Sequence, residues 1–159
     1  MLCQVAEDRT LGRSLPVRRG DGMPSTVITY TDSAHGLSAD QVRGFFVGWP
    51  VTPSPERHVE LLRASYAVEI ALDGDAAVGF VTAISDGVLS AFIPLLEVLP
   101  AYQRRGIGAE LIRRLLGQLD NLYMIDLCCD ADLEPFYAAL GFRTLDRAMG
   151  IRRRENVQR

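Results

Sequence analysis

Apolar runs separated by turn residues dominate the chain from Thr26 onward. "TVITY" is a short β-rich run, and Ser38 is placed to cap a helix over "ADQVRGFF". "GWPVTPSP" reads as a proline-rich loop. Ser54 followed by Pro55 at the first helical position opens "PERHVELLRAS", with Val59, Leu61 and Leu62 on its apolar side. "YAVEIAL" and "AAVGFVTAIS" are strands joined by the turn "DGD", where Asp73-Gly74 favours a hairpin. A second turn, "DGV", leads into the strand "LSAFIPLLEV". After Pro100 comes a helix with Ile107, Leu111, Leu115 and Leu119 at four-residue spacing. "LYMIDLCC" is expected to be a buried strand. Leu133 to Leu140 is expected to be a helix that Gly141 ends. "ALGFRTL" and "AMGIRRR" read as closing strands, and the arginines of the second as a solvated strand end. The order β-α-α-β-β-β-α-β-α-β-β predicts a mixed α/β domain in which a three-strand meander feeds a β-α-β crossover.

Residues 1–24 hold no sustained period and are expected to form a disordered tail, which leaves 25–159 as one domain. Of the 159 residues, 48% are hydrophobic, enough for an ordinary core, and no apolar run reaches the roughly 20 residues that cross a membrane. The N-terminus lacks a positive-then-apolar signal pattern. Three cysteines, Cys3, Cys128 and Cys129, make a poor disulfide framework and no zinc spacing. The expectation is a cytoplasmic protein without metal. A net charge of −3 argues against a general nucleic-acid binder. All 17 basic residues are arginine, so a Schiff-base lysine and a phosphate-loop lysine are both excluded.

Candidate chemistry gathers in "LEVLPAYQRRGIGAELIRRLL". Gly106 and Gly108 stand where a strand and loop become a helix. Glycine allows close backbone approach, and the first turn of a helix presents unpaired N–H groups at the positive end of its dipole. Arg104 and Arg105 add two charges. The junction is an anion cradle suited to phosphate or pyrophosphate, or else a tight turn bearing solvent arginines. A Walker loop would need lysine, and a dinucleotide fingerprint would need glycine where Leu111 stands.

"QRRGIGA" after "LLEVLPAY" resembles the acyl-CoA signature Q/R-x-x-G-x-G/A of the GNAT superfamily of N-acetyltransferases. "PFYAALGF" is similar to that family's second signature and follows about thirty residues later, as it does there. The resemblance implies a mostly antiparallel mixed sheet, flanked by helices, whose fourth and fifth strands splay around acyl-CoA. It implies that the backbone of Leu96, Glu97 and Val98 meets the pantetheine arm. It also implies that Arg104, Arg105, Gly106, Ile107, Gly108 and Ala109 hold the pyrophosphate. By the same resemblance acetyl-CoA is the co-substrate, the acetyl group passes directly to a primary amine, and Tyr137 is the general acid for the leaving thiolate.

For the base, the glutamate that some family members carry early in the fourth strand is replaced here by Phe92-Ile93-Pro94, and Pro94 suits a strand leaving its neighbour. Glu97 and Asp126 are acids within apolar runs, where burial is costly unless they are paired. Each is a candidate for proton relay, for amine binding or for a structural role. Asp130 is expected to cap the Leu133 helix or to contact the cofactor region, and His35 and His58 to be surface residues. The acceptor wall implied by the resemblance is "FFVGWPVTPSPERH", in which Phe45, Phe46 and Trp49 are either pocket lining or core. Small-molecule and peptide amines both fit this reading, and so does a homodimer. A non-catalytic acyl-CoA sensor is the alternative.

Overall fold

A computed structural model describes residues 27–145. The expected tail at 1–24 and the expected strand at 148–154 lie outside them. Five strands form one sheet in sequence order: β1 (Thr29–Thr31), β2 (Ala67–Asp73), β3 (Ala76–Ser85), β4 (Ser90–Val98) and β5 (Met124–Leu127). The pairs β1–β2, β2–β3 and β3–β4 are antiparallel, while β4–β5 is parallel. The helices are α1 (Pro55–Ala64), α2 (Ile107–Gln118) and α3 (Glu134–Ala138). The architecture is the expected mixed, mostly antiparallel α/β domain. Among the described residues no helix is long and apolar enough to cross a membrane.

Local chemistry explains most element ends. The Ser54 side chain accepts from the Arg57 N–H at 3.2 Å with Pro55 behind it, an N-cap worth about 1 kcal/mol. Gly141 N–H donates to the Ala138 carbonyl and Phe142 N–H to that of Tyr137. These two bonds close the helix end as the Leu-Gly-Phe sequence suggested.

α2 crosses one face of the sheet. Ile107, Leu111, Ile112 and Leu115 are buried there against Ala71, Val78, Val81 and Ala83, each contributing about 1.5–3 kcal/mol. Small sheet residues let the helix sit close: a Cβ on Gly79 would come within 3.1 Å of Leu111 Cδ1. The other face, under α1, is built from Val68, Ile70 and Phe80 with Phe45, Phe46 and Leu62.

Four expectations need correction. The helix over 39–46 is only a 3-10 turn, Ala39–Val42, because the chain turns left-handed at Gly44 (φ 86°) and Phe46 (φ 64°). β5 is shorter than "LYMIDLCC" and half-buried, since it pairs with β4 on one edge and with no described strand on the other. The described part of "ALGFRTL" is not a strand, because residues 142–145 find no ladder partner among the described residues.

His58, finally, is not a surface residue but 1% exposed. It shares the inner face of α1 with Val59 and Leu62, and its ring packs against Phe45, Phe46 and Phe80 at centroid distances of 5.2, 4.9 and 4.5 Å. Burial lowers its pKa to about 4, only partly countered by Nδ1 lying 3.4 Å from the Val42 carbonyl. The unfolded chain takes up this proton near the ordinary value of about 6.5 and the folded chain near 4, so stability is complete above pH 6.5 and falls as pH drops toward 4. Between pH 7.5 and 5 this one group should remove on the order of 2 kcal/mol of unfolding free energy. Urea unfolding of wild type and His58→Leu at both pH values checks this. A wild-type-minus-variant difference that does not move with pH would show that the imidazole is hydrated.

Candidate acyl-CoA site

The site begins with a fault in β4. Thr82 of β3 faces Leu95, but Ile84 faces Phe92, so β4 fits two residues, Ile93 and Pro94, where β3 has only Ala83. An extra residue of this kind bends a strand. β5 pairs with Ser90 to Ile93 and no further. From Pro94, which has no N–H to offer a ladder, β4 continues to Val98 with β3 on one side and, among the described residues, an open edge on the other. The strands therefore part at Pro94.

Register decides which backbone groups face the opening. Leu99 N–H donates to the Val78 carbonyl at 2.9 Å, in line with the Gly79–Val98 and Phe80–Glu97 pairs. Hydrogen-bonded pairs alternate along an antiparallel ladder. Leu95 and Glu97 thus direct their backbone groups toward β3, while Leu96 and Val98 direct theirs to the open edge. The expectation that the Glu97 backbone shares this edge fails by one residue of register. The Val98 carbonyl already accepts from Gln103 Nε2 at 3.0 Å, which ties the following loop to the strand.

That loop leads into the start of α2. Arg104 (φ 58°) and Gly106 (φ 82°) are both left-handed, and only the glycine takes that conformation without strain. Such a path brings successive N–H groups onto one concave side. Gly106 is the N-cap and has no side chain to cap with, and the first helical bond runs from Glu110 N–H to its carbonyl at 3.0 Å. The N–H groups of Ile107, Gly108 and Ala109 therefore have no partner within the helix. A Cβ built on Gly108 would meet Phe136 Cζ at 3.7 Å, Val98 Cγ2 at 3.8 Å and Leu96 Cδ2 at 3.9 Å. Gly108 thus adjoins the open edge of β4 and the first turn of α3. Arg104 and Arg105 are exposed, and the Arg105 guanidinium lies 5.1 Å from the centroid of the Tyr102 ring. Leu96 and Val98 thus adjoin the glycine turn that opens α2, whose unpaired N–H groups and neighbouring Arg104 and Arg105 are suited to an anion.

The three candidate catalytic residues do not form one cluster. Tyr137 is 2% exposed and packs with Phe136 and Phe142 at ring distances of 4.9 and 5.7 Å, in the same core as Ile93 and Leu133. Asp126 is half-buried opposite Phe92 in the β4–β5 pair, and both border an open groove with Tyr137 along β5 and α3. Glu97 lies apart, on the α1 side of β4. Its Oε2 accepts from Phe46 N–H at 2.8 Å and its Oε1 from Val47 N–H at 3.1 Å. Burial raises its pKa above the usual carboxylate range, and these two hydrogen bonds oppose that rise. Asp130 is the N-cap of a 3-10 turn, Ala131–Leu133, but its side chain makes no cap bond. Among the described residues no group of three or more His, Cys, Asp or Glu could hold a metal. Sequence reading missed His58 and also Glu69, a buried acid bonded to Gln118 Nε2 at 2.8 Å; Glu69 stands between Val68 and Ile70, and His58 lies one turn before Leu62 on the apolar side of α1.

A family model described as "Acetyltransferase (GNAT) family" matches residues 34–142. A crystal structure of a Deinococcus radiodurans R1 protein assigned as an acetyltransferase superposes with a TM-score of 0.79 at 43% identity, covering 82% of this chain and 91% of that one. The acetyltransferase GNAT family protein SP0256 from Streptococcus pneumoniae TIGR4 gives 0.68 at 32% identity, covering 80% and 99%. The chloroplastic GCN5-related N-acetyltransferase 3 of Arabidopsis thaliana is 40% identical over 78 residues, 48% of this chain but only 33% of its own length. The parted strands, the uncapped glycine turn at the head of α2 and the match across most of the described residues have one explanation: the chain belongs to the GNAT acetyltransferase family.

Proposed function

We propose that the protein is an acetyl-CoA-dependent N-acetyltransferase that moves the acetyl group directly to a primary amine on a small molecule or peptide. The observation that carries this reading is the open edge of β4 running into the unpaired N–H groups of α2. In it, the backbone at Leu96 and Val98 holds the pantetheine arm by adding to the sheet edge. The N–H groups from Gly106 to Ala109 hold the pyrophosphate, and Arg104 and Arg105 add charge. The acyl end then lies toward Pro94, where β4 and β5 part.

Asp126, paired with Phe92 two residues before Pro94, borders one groove with Tyr137, and Glu97 does not line it. Tyr137 donates a proton to the departing thiolate. Asp126 accepts the amine proton through water, since its carboxylate takes no hydrogen bond from the described residues and it borders the same groove as Tyr137. Direct transfer rather than a thioester at Cys129 is supported by its thiol pKa, which burial and neighbouring acids raise, the reverse of what marks a nucleophilic cysteine.

Calorimetry with acetyl-CoA, followed by thiol release across a panel of alkylamines, polyamines, aminoglycosides and peptide N-termini, tests the function. Binding without release on any amine would assign an acyl-CoA sensor instead. With a working amine, Asp126→Asn should lower kcat at least tenfold at neutral pH and leave acetyl-CoA affinity unchanged. Unchanged turnover would remove Asp126 from the chemistry.

A further inference from the structure

Glu97 is bound up with a loop rather than with the open edge of its own strand. Phe46 (φ 64°) is left-handed and flanked by two left-handed glycines, Gly44 (φ 86°) and Gly48 (φ 76°). A phenylalanine holds that conformation only where its surroundings impose it. Two agents do so here. The Phe46 ring is buried against His58 and Trp49, with centroids at 4.9 and 5.2 Å. The N–H groups of Phe46 and Val47 converge on the two oxygens of one carboxylate, at 2.8 and 3.1 Å. Consecutive N–H groups turned to one side form a concave anion site. In this loop the anion is a side chain from a residue some fifty positions away.

We propose that Glu97 is a positioning residue for the acceptor side of the reaction, the anion on which the Gly44–Gly48 loop is wound, and that it acts through that loop rather than on a proton. The location supports this. Glu97 stands between Leu96 and Val98, the two residues whose backbone faces the open edge, and its side chain leaves on the opposite face from α2. The loop is therefore fastened about three strand residues from Pro94, or ~10 Å along β4. It offers Val47, 40% exposed, as an apolar surface beside Glu97 on the α1 side of β4. Both carboxylate oxygens are already engaged by the loop, and this separates Glu97 from Asp126. The word "acceptor" rests on the proposed acetyl transfer; the winding of the loop does not.

Trp49, the only tryptophan in the chain, packs on Phe46 and reports the loop directly. In wild type, hydrogen exchange should find the Phe46 and Val47 amides protected although they lie in a loop. In Glu97→Gln, where an amide nitrogen replaces one acceptor, exchange at both amides should rise at least tenfold. Acrylamide quenching of Trp49 should rise about twofold, and β3 and β4 should stay protected. With acetyl-CoA and a working amine, KM for the amine should rise at least tenfold, with kcat within threefold and acetyl-CoA affinity within twofold. Glu97→Asp, which keeps the charge but shortens the reach, should fall between the two. Four results would overturn the proposal: unprotected Phe46 and Val47 amides in wild type, unchanged exchange and quenching in the variant, a large fall in kcat at unchanged KM, or lost acetyl-CoA affinity. A wild type inactive on every amine would defeat the proposed function and the acceptor role together, and the exchange and quenching data would still decide the loop.

Discussion

Replacing Gly108 with tryptophan is expected to weaken acetyl-CoA binding at least about 100-fold, or about 2.7 kcal/mol, while the domain stays folded. The reason is where a side chain at this position would go. Its Cβ would stand 3.7–3.9 Å from Phe136, Val98 and Leu96, which is ordinary contact distance. Alanine is therefore accommodated, and Gly108→Ala should bind acetyl-CoA within about tenfold of wild type. An indole must extend past the open edge of β4 and across the first turn of α2. In the proposed function the pantetheine arm and pyrophosphate lie there. Calorimetry gives the affinity, and thermal unfolding with circular dichroism verifies the fold. Unchanged affinity in a folded Gly108→Trp protein would remove the cofactor assignment and, with it, the proposed function.

The second large effect is expected at Tyr137. Coenzyme A leaves as a thiolate whose conjugate thiol has an ordinary pKa of about 8.5, so at neutral pH departure is eased by a proton. A phenol is protonated there and can supply it. Tyr137 is carried by α3, which follows β5 after the turn Ala131–Leu133, and it borders the groove that runs along β5 and α3. It is also nearly fully buried among Phe136, Phe142 and Leu133, so the competing explanation is packing alone. Tyr137→Phe separates the two, because it removes one oxygen and keeps the ring. General acid catalysis is typically worth about 10²–10⁴-fold, so kcat should fall by roughly 10²-fold or more while acetyl-CoA affinity stays within about threefold. Turnover within about threefold of wild type, with chemistry shown to be rate-limiting, would leave Tyr137 as a core residue.

What the sequence determined by itself was set over short range. The β2–β3 hairpin followed from Asp73-Gly74 between two apolar runs, and α2 from apolar residues every four positions after Pro100. α1 followed from Ser54-Pro55, and the end of α3 from Gly141. In each case the decisive interaction lies within a few residues. The uncapped glycine turn at the head of α2 was legible for the same reason, since it and the helix it opens are contiguous in the chain.

Tertiary structure decided the rest. "ADQVRGFF" carries a fair helix pattern, but the N–H groups of Phe46 and Val47 turn toward a carboxylate on β4, and the helix stops at Val42. His58 looked like one more polar residue on α1 until Phe45, Phe46 and Phe80 closed around it. Alternation along β4 puts the side chains of Glu97 and its neighbours on opposite faces. Which backbone groups meet β3 and which stay open depends on the partner strand and on the extra residue at Ile93-Pro94. A strand carries its side-chain period in its own sequence, but its hydrogen-bonding edge belongs to the pair. The backbone directions of Glu97, Leu96 and Val98 therefore became distinct only once β3 was paired with β4 and β5 had stopped at Ile93.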